Sequence, residues 1–336
     1  MTVPLSSRMS LRISMMSCNQ IRRFFAAAIV TILCSVVTNF AQQDDEIRVD
    51  TELASFEVSV TDSKGTPVRG LSAKDFRVFE DGKERSIDFF QPIKKRDAGR
   101  PLSLVFALDV SGSMTQPELE RLRSAMDKFV KRLADYESHF AIVSFAMEVK
   151  TTQDFTNRPD RIEQAFQKLK RDQDGLSTHA YDAVDQAVRM ITRRSPRSIK
   201  NQMPRRAVIL ITDGFPVGDV VSPSTVIERA NDAETSVFSV LLPSFSRLQR
   251  DGRRIPTPLE ASGLSERTGG ISIAANDSNF DRIFDALAEE LTASYAIAFY
   301  PPDAEARGER RVKIEARPGL QIRQNRLTYK PGGSSN

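Results

Sequence analysis

Two different periodicities divide this chain. From Ile47 to Phe90 the apolar residues alternate with polar ones in short runs separated by turns. Phe56-Glu57-Val58-Ser59-Val60 has the period of a strand with one face buried, and Phe76-Arg77-Val78-Phe79 and Ile87-Asp88-Phe89-Phe90 predict further strands. Asp62-Ser63-Lys64-Gly65 and Glu80-Asp81-Gly82-Lys83 carry the residues that turns need. A charged connector, Lys94 to Pro101, follows. At Leu102 the pattern changes. Leu102 to Leu108 and Ala207-Val208-Ile209-Leu210-Ile211 are nearly continuous apolar runs, as expected of strands buried on both faces of a parallel sheet.

Strand and helix patterns then alternate. Helices are predicted over Pro117 to Ala134, Pro159 to Lys170, Ala180 to Thr192, Thr225 to Glu234, Leu259 to Thr268 and Asn279 to Leu291. Strands are predicted over Phe140 to Val149, Arg206 to Thr212, Val237 to Leu242 and Ile271 to Ala274, with residues 244 to 258 a polar surface insertion. This alternation predicts an α/β fold: a doubly wound, mostly parallel sheet with helices on both faces. Beyond it, Tyr295 to Tyr300, Arg311 to Ala316 and Gln321 to Tyr329 alternate like strands again. Their pairing with the N-terminal strands would make an additional small β-sandwich from both ends of the chain. The expected divisions are residues 1–41, 46–95, 101–292 and 295–330.

The first of these reads as a secretory signal peptide. Arg8, Arg12, Arg22 and Arg23 precede the apolar run Phe24 to Val37, and Ala41-Gln42-Gln43 supplies the cleavage region. The alternative is an uncleaved membrane anchor, although the run is short for a full span. The expected location is outside the cytoplasm: periplasm, cell surface or medium. Removing the segment takes four positive and no negative charges from a formal net charge of +4, leaving zero. The basic balance of the whole chain is therefore no footprint of nucleic-acid binding. Cys18 and Cys34, the only cysteines, leave with it, so disulfides and thiol chemistry are excluded from the mature chain.

The candidate chemistry lies in three separated segments: Asp109-Val110-Ser111-Gly112-Ser113, Gly175-Leu176-Ser177-Thr178 and Thr212-Asp213-Gly214. Each stands at the C-terminal end of a predicted strand or the start of a helix, where open parallel sheets bind ligands. Asp109, Ser111, Ser113, Thr178 and Asp213 are hard oxygen donors, a set that suits magnesium, manganese or calcium rather than zinc. Two carboxylates roughly neutralise a dication, while neutral hydroxyls leave it able to accept one more anionic ligand. His179 either rims this surface or is an exposed structural histidine. Phe215-Pro216-Val217 is either a partner-facing apolar rim or a packed loop.

Asp109-x-Ser111-x-Ser113, Thr178 and Asp213-Gly214, in this order over roughly Pro101 to Leu291, resemble the metal ion-dependent adhesion site (MIDAS) of von Willebrand factor A domains. Tyr181-Asp182-Ala183 and Glu266-Arg267-Thr268-Gly269-Gly270 add flanking likeness, and Leu176-Ser177 stands where that family often has glycine. The leading Val-Thr-Asp and Phe-Glu-Asp-Gly segments resemble VWFA-related proteins of acidobacteria. The resemblance implies direct cation binding by Ser111 and Ser113, with Thr178 joining in a ligand-bound state. Asp109 and Asp213 would bind directly or through water, and one position would accept a partner's Asp or Glu.

That implies an exported protein-binding module, not an enzyme. A serine hydrolase with Ser111 or Ser113 as nucleophile needs a histidine base, and only His139 and His179 exist. A metal-assisted hydrolase is the other enzymatic reading, and its two-metal form needs more carboxylates than these segments supply. An accessory subunit of an ATP-driven complex is the third reading; the chain itself has no Gly-x-x-x-x-Gly-Lys-[Ser/Thr] loop.

Overall fold

The computed structural model describes residues 53–91, 101–112, 115–170, 178–200, 202–242, 249–250, 253–275, 279–302 and 308–331. The expected signal peptide lies outside these residues, as do most of the connector at 94–101 and part of the insertion at 244–258. Among the described residues no helix is long and apolar enough to cross a membrane.

The strands are β1 (Ala54–Thr61), β2 (Phe76–Glu80), β3 (Lys83–Arg85), β4 (Phe89–Gln91), β5 (Leu102–Asp109), β6 (His139–Phe145), β7 (Val149–Thr156) and β8 (Arg205–Thr212). They continue with β9 (Thr235–Leu241), β10 (Gln249–Arg250), β11 (Arg253–Arg254), β12 (Ser272–Ala274), β13 (Ser294–Phe299), β14 (Arg310–Ala316), β15 (Gln321–Gln324) and β16 (Thr328–Tyr329). The helices are α1 (Gln116–Ala134), α2 (Pro159–Lys168), α3 (Ala180–Arg194), α4 (Pro223–Asp232), α5 (Pro258–Ala261), α6 (Leu264–Arg267) and α7 (Phe280–Thr292).

The central sheet has six strands in the order β12-β9-β8-β5-β6-β7. All neighbours are parallel except β7, which runs antiparallel to β6. Its four inner strands, β5, β6, β8 and β9, are buried on both sides because both sides are covered. Leu104, Phe106 and Leu108 of β5 join Ile209 and Ile211 of β8 in a core with α1, α2 and α7. Val105 and Ala107 face the other way, into a core with Val208, Leu210, α3 and α4. Phe106 meets Phe129 and Phe166 edge-on, each centroid about 6 Å away (6.0 and 5.7 Å). Helix α1 begins where Thr115 and Glu118 cap each other's backbone N–H groups, with Pro117 tolerated in the first turn.

The chain's two ends build a separate pair of antiparallel sheets, in the orders β15-β1-β13-β4 and β16-β14-β2-β3. Phe56, Val58, Tyr295, Ile297 and Phe299 from the first share one core with Phe76, Val78, Val312 and Ile314 from the second. The additional sandwich of N- and C-terminal strands is thus present.

Four local expectations are corrected. The strand expected over Phe140 to Val149 ends at Phe145, and the chain turns back into β7, a polar edge strand without an apolar run to reveal it. The helix expected over Leu259 to Thr268 is two short ones, interrupted at Gly263 with φ +68°. Gln321 to Tyr329 is not one strand: β15 and β16 belong to different sheets. Finally, β1 is not half-buried. Ser55, Glu57 and Ser59 on its polar face are also covered.

What covers that face is a polar seam against the α/β body. Ser294 donates to the Glu57 carboxylate at 3.2 Å, and Asn325 Oδ1 accepts the Glu57 N–H at 2.9 Å. Arg326 donates to the Ser55 carbonyl at 2.7 Å and to Glu234 at 3.1 Å, while Arg323 pairs with Glu290 of α7. Arg205, 1% exposed, points its guanidinium at the last carbonyls of α7, Glu290 (2.6 Å) and Leu291 (3.0 Å), where the helix dipole favours a cation. Most of the buried polar atoms here find a hydrogen-bond partner, the Nε atoms of Arg205 and Arg326 excepted.

The seam requires close backbone approach. At Gly269 φ is +76°, and a β-carbon would stand 2.2 Å from the Asn325 Cα. Gly269→Ala is therefore expected to lower stability by about 3 kcal/mol, the upper range for overpacking. Gly319→Ala has a similar φ of +88° but open space around it, and is expected to cost about 1 kcal/mol. Urea denaturation of both variants checks this; equal losses would show that backbone conformation, not the seam, sets the cost.

Candidate metal centre

The parallel register sets the first element of the site. Leu108 pairs with Ile211, so Asp109 at the end of β5 lies level with Thr212 at the end of β8. The Asp109 carboxyl is 1% exposed. Its Oδ1 accepts the Ser111 N–H at 2.9 Å and its Oδ2 accepts the Thr212 hydroxyl at 2.8 Å. Burial pushes its pKa up to about 6; bonds from Ser111 and Thr212 pull the other way, and the charge of Asp213 adds to the rise.

Asp213 follows directly, where the chain leaves β8. Its Oδ1 accepts the Phe215 N–H at 3.1 Å, and partial burial raises its pKa as well. The turn depends on Gly214, whose φ is +85° and where a β-carbon would lie 2.7 Å from the Thr257 hydroxyl oxygen. The Gly214 carbonyl also accepts the Leu259 N–H at 3.3 Å, tying the turn to α5.

Thr178 is brought to the same edge by backbone pairing. It exchanges two 3.0 Å hydrogen bonds with Val217, in the loop that carries Asp213. The adjacent His179 N–H donates to the Ala146 carbonyl at 3.2 Å, in the turn between β6 and β7. Four expected site residues, Asp109, Ser111, Thr178 and Asp213, thus stand at the carboxyl edge of one sheet. Ser113 and residues 175–177 lie outside the described residues.

The residues fit a hard divalent cation. The charge of Asp213 adds to the cost of ionising Asp109, yet among the described residues neither has a cationic side-chain partner. A bound dication would supply that missing countercharge, and carboxylates with hydroxyls are the ligand types such ions take.

Sequence reasoning missed Thr212, whose hydroxyl fixes Asp109; a lone polar residue closing an apolar strand was the available signal. It also missed Asp182. That carboxylate accepts the N–H groups of Val220 (3.1 and 3.0 Å) and Val221 (2.8 Å), while Asp219 accepts the Asp182 N–H at 2.9 Å. His179 is not an exposed histidine: its side chain is 19% exposed, with Nδ1 2.9 Å from Asp182 Oδ2. In the Phe215–Val217 loop both readings hold in part. Phe215 packs on the α3/α4 core, and Val217 is 53% exposed.

Residues 103–251 match the family model of the von Willebrand factor type A domain. Inter-alpha-trypsin inhibitor heavy chain H4 of Sus scrofa is 27% identical over 144 residues, which is 41% of this chain and 15% of that protein. Heavy chain H3 of Bos taurus is 26% identical over 169 residues, 50% of this chain and 19% of that protein. The chain thus spans less than a fifth of the length of these relatives. Among solved structures, an aerotolerance-related membrane protein from Bacteroides fragilis aligns with TM-score 0.43 at 21% identity, covering 56% of this chain and 98% of that one. Proximal thread matrix protein 1 from the mussel byssus, with a zinc-occupied MIDAS motif, aligns with TM-score 0.46 at 15% identity, covering 61% and 48%.

The raised pKa of Asp109 has a definite sign. Its folded value, about 6, exceeds the ordinary 3.8, so between roughly pH 4 and 6 the folded state binds the extra proton. In EDTA the stability that this group contributes is present at the acid end and is lost as pH rises through about 6. Asp109→Asn, which cannot ionise, is expected to remove this fall, on the order of 2–3 kcal/mol. Urea midpoints of both proteins at pH 4.5 and 7 measure it; an identical pH dependence would refute the assignment.

Proposed function

We infer, for a chain whose residues 103–251 match the family model of the von Willebrand factor type A domain, that it is an exported binding module. It would hold one divalent cation, magnesium, manganese or calcium, and use it to grip an aspartate or glutamate of a partner protein. Domains of this type commonly serve as metal-dependent protein-interaction modules. The observation that carries the reading is the pair of adjacent acids, Asp109 and Asp213, with no cationic side chain beside them among the described residues. Asp109, Ser111, Ser113, Thr178 and Asp213 would hold the ion, which supplies Lewis acidity toward an incoming carboxylate. The chain's own part is to fix these donors on rigid strand ends and to frame them with apolar loops. Met147 and Val217 are both 53% exposed, on the two loops that Thr178 and His179 pair with. Such a rim would exclude water around one carboxylate and set the affinity.

Export rests on the basic and then apolar order of residues 1–41. A role other than catalysis is supported by how the polar groups are used. The Ser111 hydroxyl bonds to the Asp109 carboxylate and not to the imidazole base that a serine hydrolase uses. His139 stands at the opposite edge of the sheet, paired in register with Ser103 at the start of β5.

The test is capture of partners from the native envelope by the full chain in magnesium, repeated in EDTA and with Asp109→Ala. Specific partners are expected to drop at least tenfold in both controls. Partners retained in both would mean that capture does not pass through the cation.

A further inference from the structure

We propose that His179, Asp182 and Asp219 form a second cation site, suited to a zinc-like transition metal and distinct from the oxygen-only set around Asp109. One ligand atom from each of the three side chains lies within 4.8 Å of the others. His179 Nδ1 and Asp182 Oδ2 are 2.9 Å apart. That contact is itself a hydrogen bond, and tetrahedral ligands on an ion with bonds of about 2.1 Å stand about 3.4 Å apart, so the pair would have to open by about half an ångström to admit one. The side chains of His179 and Asp182 are 19% and 17% exposed, shielded from bulk water but not sealed from it.

Hydrogen bonding within the loop accounts for only part of this arrangement. Asp182 organises the Val220 and Val221 N–H groups, and one oxygen of Asp219 accepts the Asp182 N–H. The other, Asp219 Oδ2, is buried and has no hydrogen-bond partner. A buried carboxylate oxygen without a partner calls for an explanation, and an ion at this point is one. An ion bridging the three groups would satisfy it. The charges also match: two carboxylates and a neutral imidazole neutralise a dication. The imidazole shifts preference toward zinc and its neighbours, whereas magnesium prefers oxygen alone. Nδ1 would offer its lone pair to the ion and keep the ring proton on Nε2.

The site's place in the fold suggests what it does. His179 adjoins Thr178, and Asp219 lies in the loop that leaves Asp213. A metal between them would brace the two ligand-bearing loops in addition to the Thr178–Val217 backbone pairing.

The full chain, stripped with EDTA and saturated with magnesium, would be titrated with zinc by calorimetry and its bound metal counted after desalting. The expected result is one zinc per chain held despite excess magnesium. Asp219→Asn and His179→Gln should each weaken it at least tenfold, and Asp109→Ala should leave it in place. Circular dichroism checks that each variant folds, and either variant alone is sufficient if the other does not. Cobalt offered in place of zinc should give visible absorption bands that His179→Gln alters. Zinc lost in Asp109→Ala but retained in both Asp219→Asn and His179→Gln would overturn the proposal, as would the absence of stoichiometric zinc. Because Asp109→Ala acts on the first centre alone, failure of one site is distinguishable from failure of the other.

Discussion

The constraint on which the rest depends is the placement of a carboxylate, Asp109, at a buried strand end beside a second one, Asp213. The parallel register of β5 and β8 sets Asp109 level with Thr212, where the Thr212 hydroxyl and both the N–H and the hydroxyl of Ser111 hydrogen-bond to it. Neutral donors orient an anion without discharging it. In a low-dielectric setting the remaining charge is costly, and it is this residual cost that makes the edge receptive to a cation.

The surrounding fold serves to keep that edge from relaxing. Apolar packing on both faces fixes the strands, and backbone pairing of Thr178 with Val217 fixes the loops. A collapsed sheet edge would let Asp109 find water or a lysine. Instead the core holds it in place while Gly214, pressed against Thr257, gives the neighbouring turn no room to shift. The same logic operates at the opposite side of the domain, where Arg205, Arg323 and Arg326 meet carbonyls and carboxylates of the seam. Those charges are all matched. The seam brings cations to carbonyls and carboxylates, whereas the acids at the strand edge have only neutral donors among the described residues.

Two donor sets also sit close together along the chain with different chemistry. Asp109, Ser111, Thr178 and Asp213 offer oxygen only; the neighbouring loop adds the imidazole of His179 to Asp182 and Asp219. Both draw on the loops that follow β8 and precede α3.

The sequence by itself determined the α/β alternation, the strands buried on both faces, the return of the C-terminal strands to the N-terminal ones, and the oxygen donors at strand ends. Each is written in local order: apolar runs, periodicity, and polar residues placed where a run stops. What only the tertiary structure decided lacked such a local mark. The polar strand β7 has no apolar run, and its pairing comes from β6. The polar face of β1 reads as solvated, yet Arg326, Asn325 and Ser294 bury it. Gln321 to Tyr329 keeps one alternation while its halves join different sheets, because Asn325 must meet Glu57 on one side and Tyr329 must pair with Arg310 on the other. Thr212, Asp182 and Asp219 gain their roles from residues distant along the chain. Periodicity reports which face a residue prefers, but its partner is chosen by packing in three dimensions.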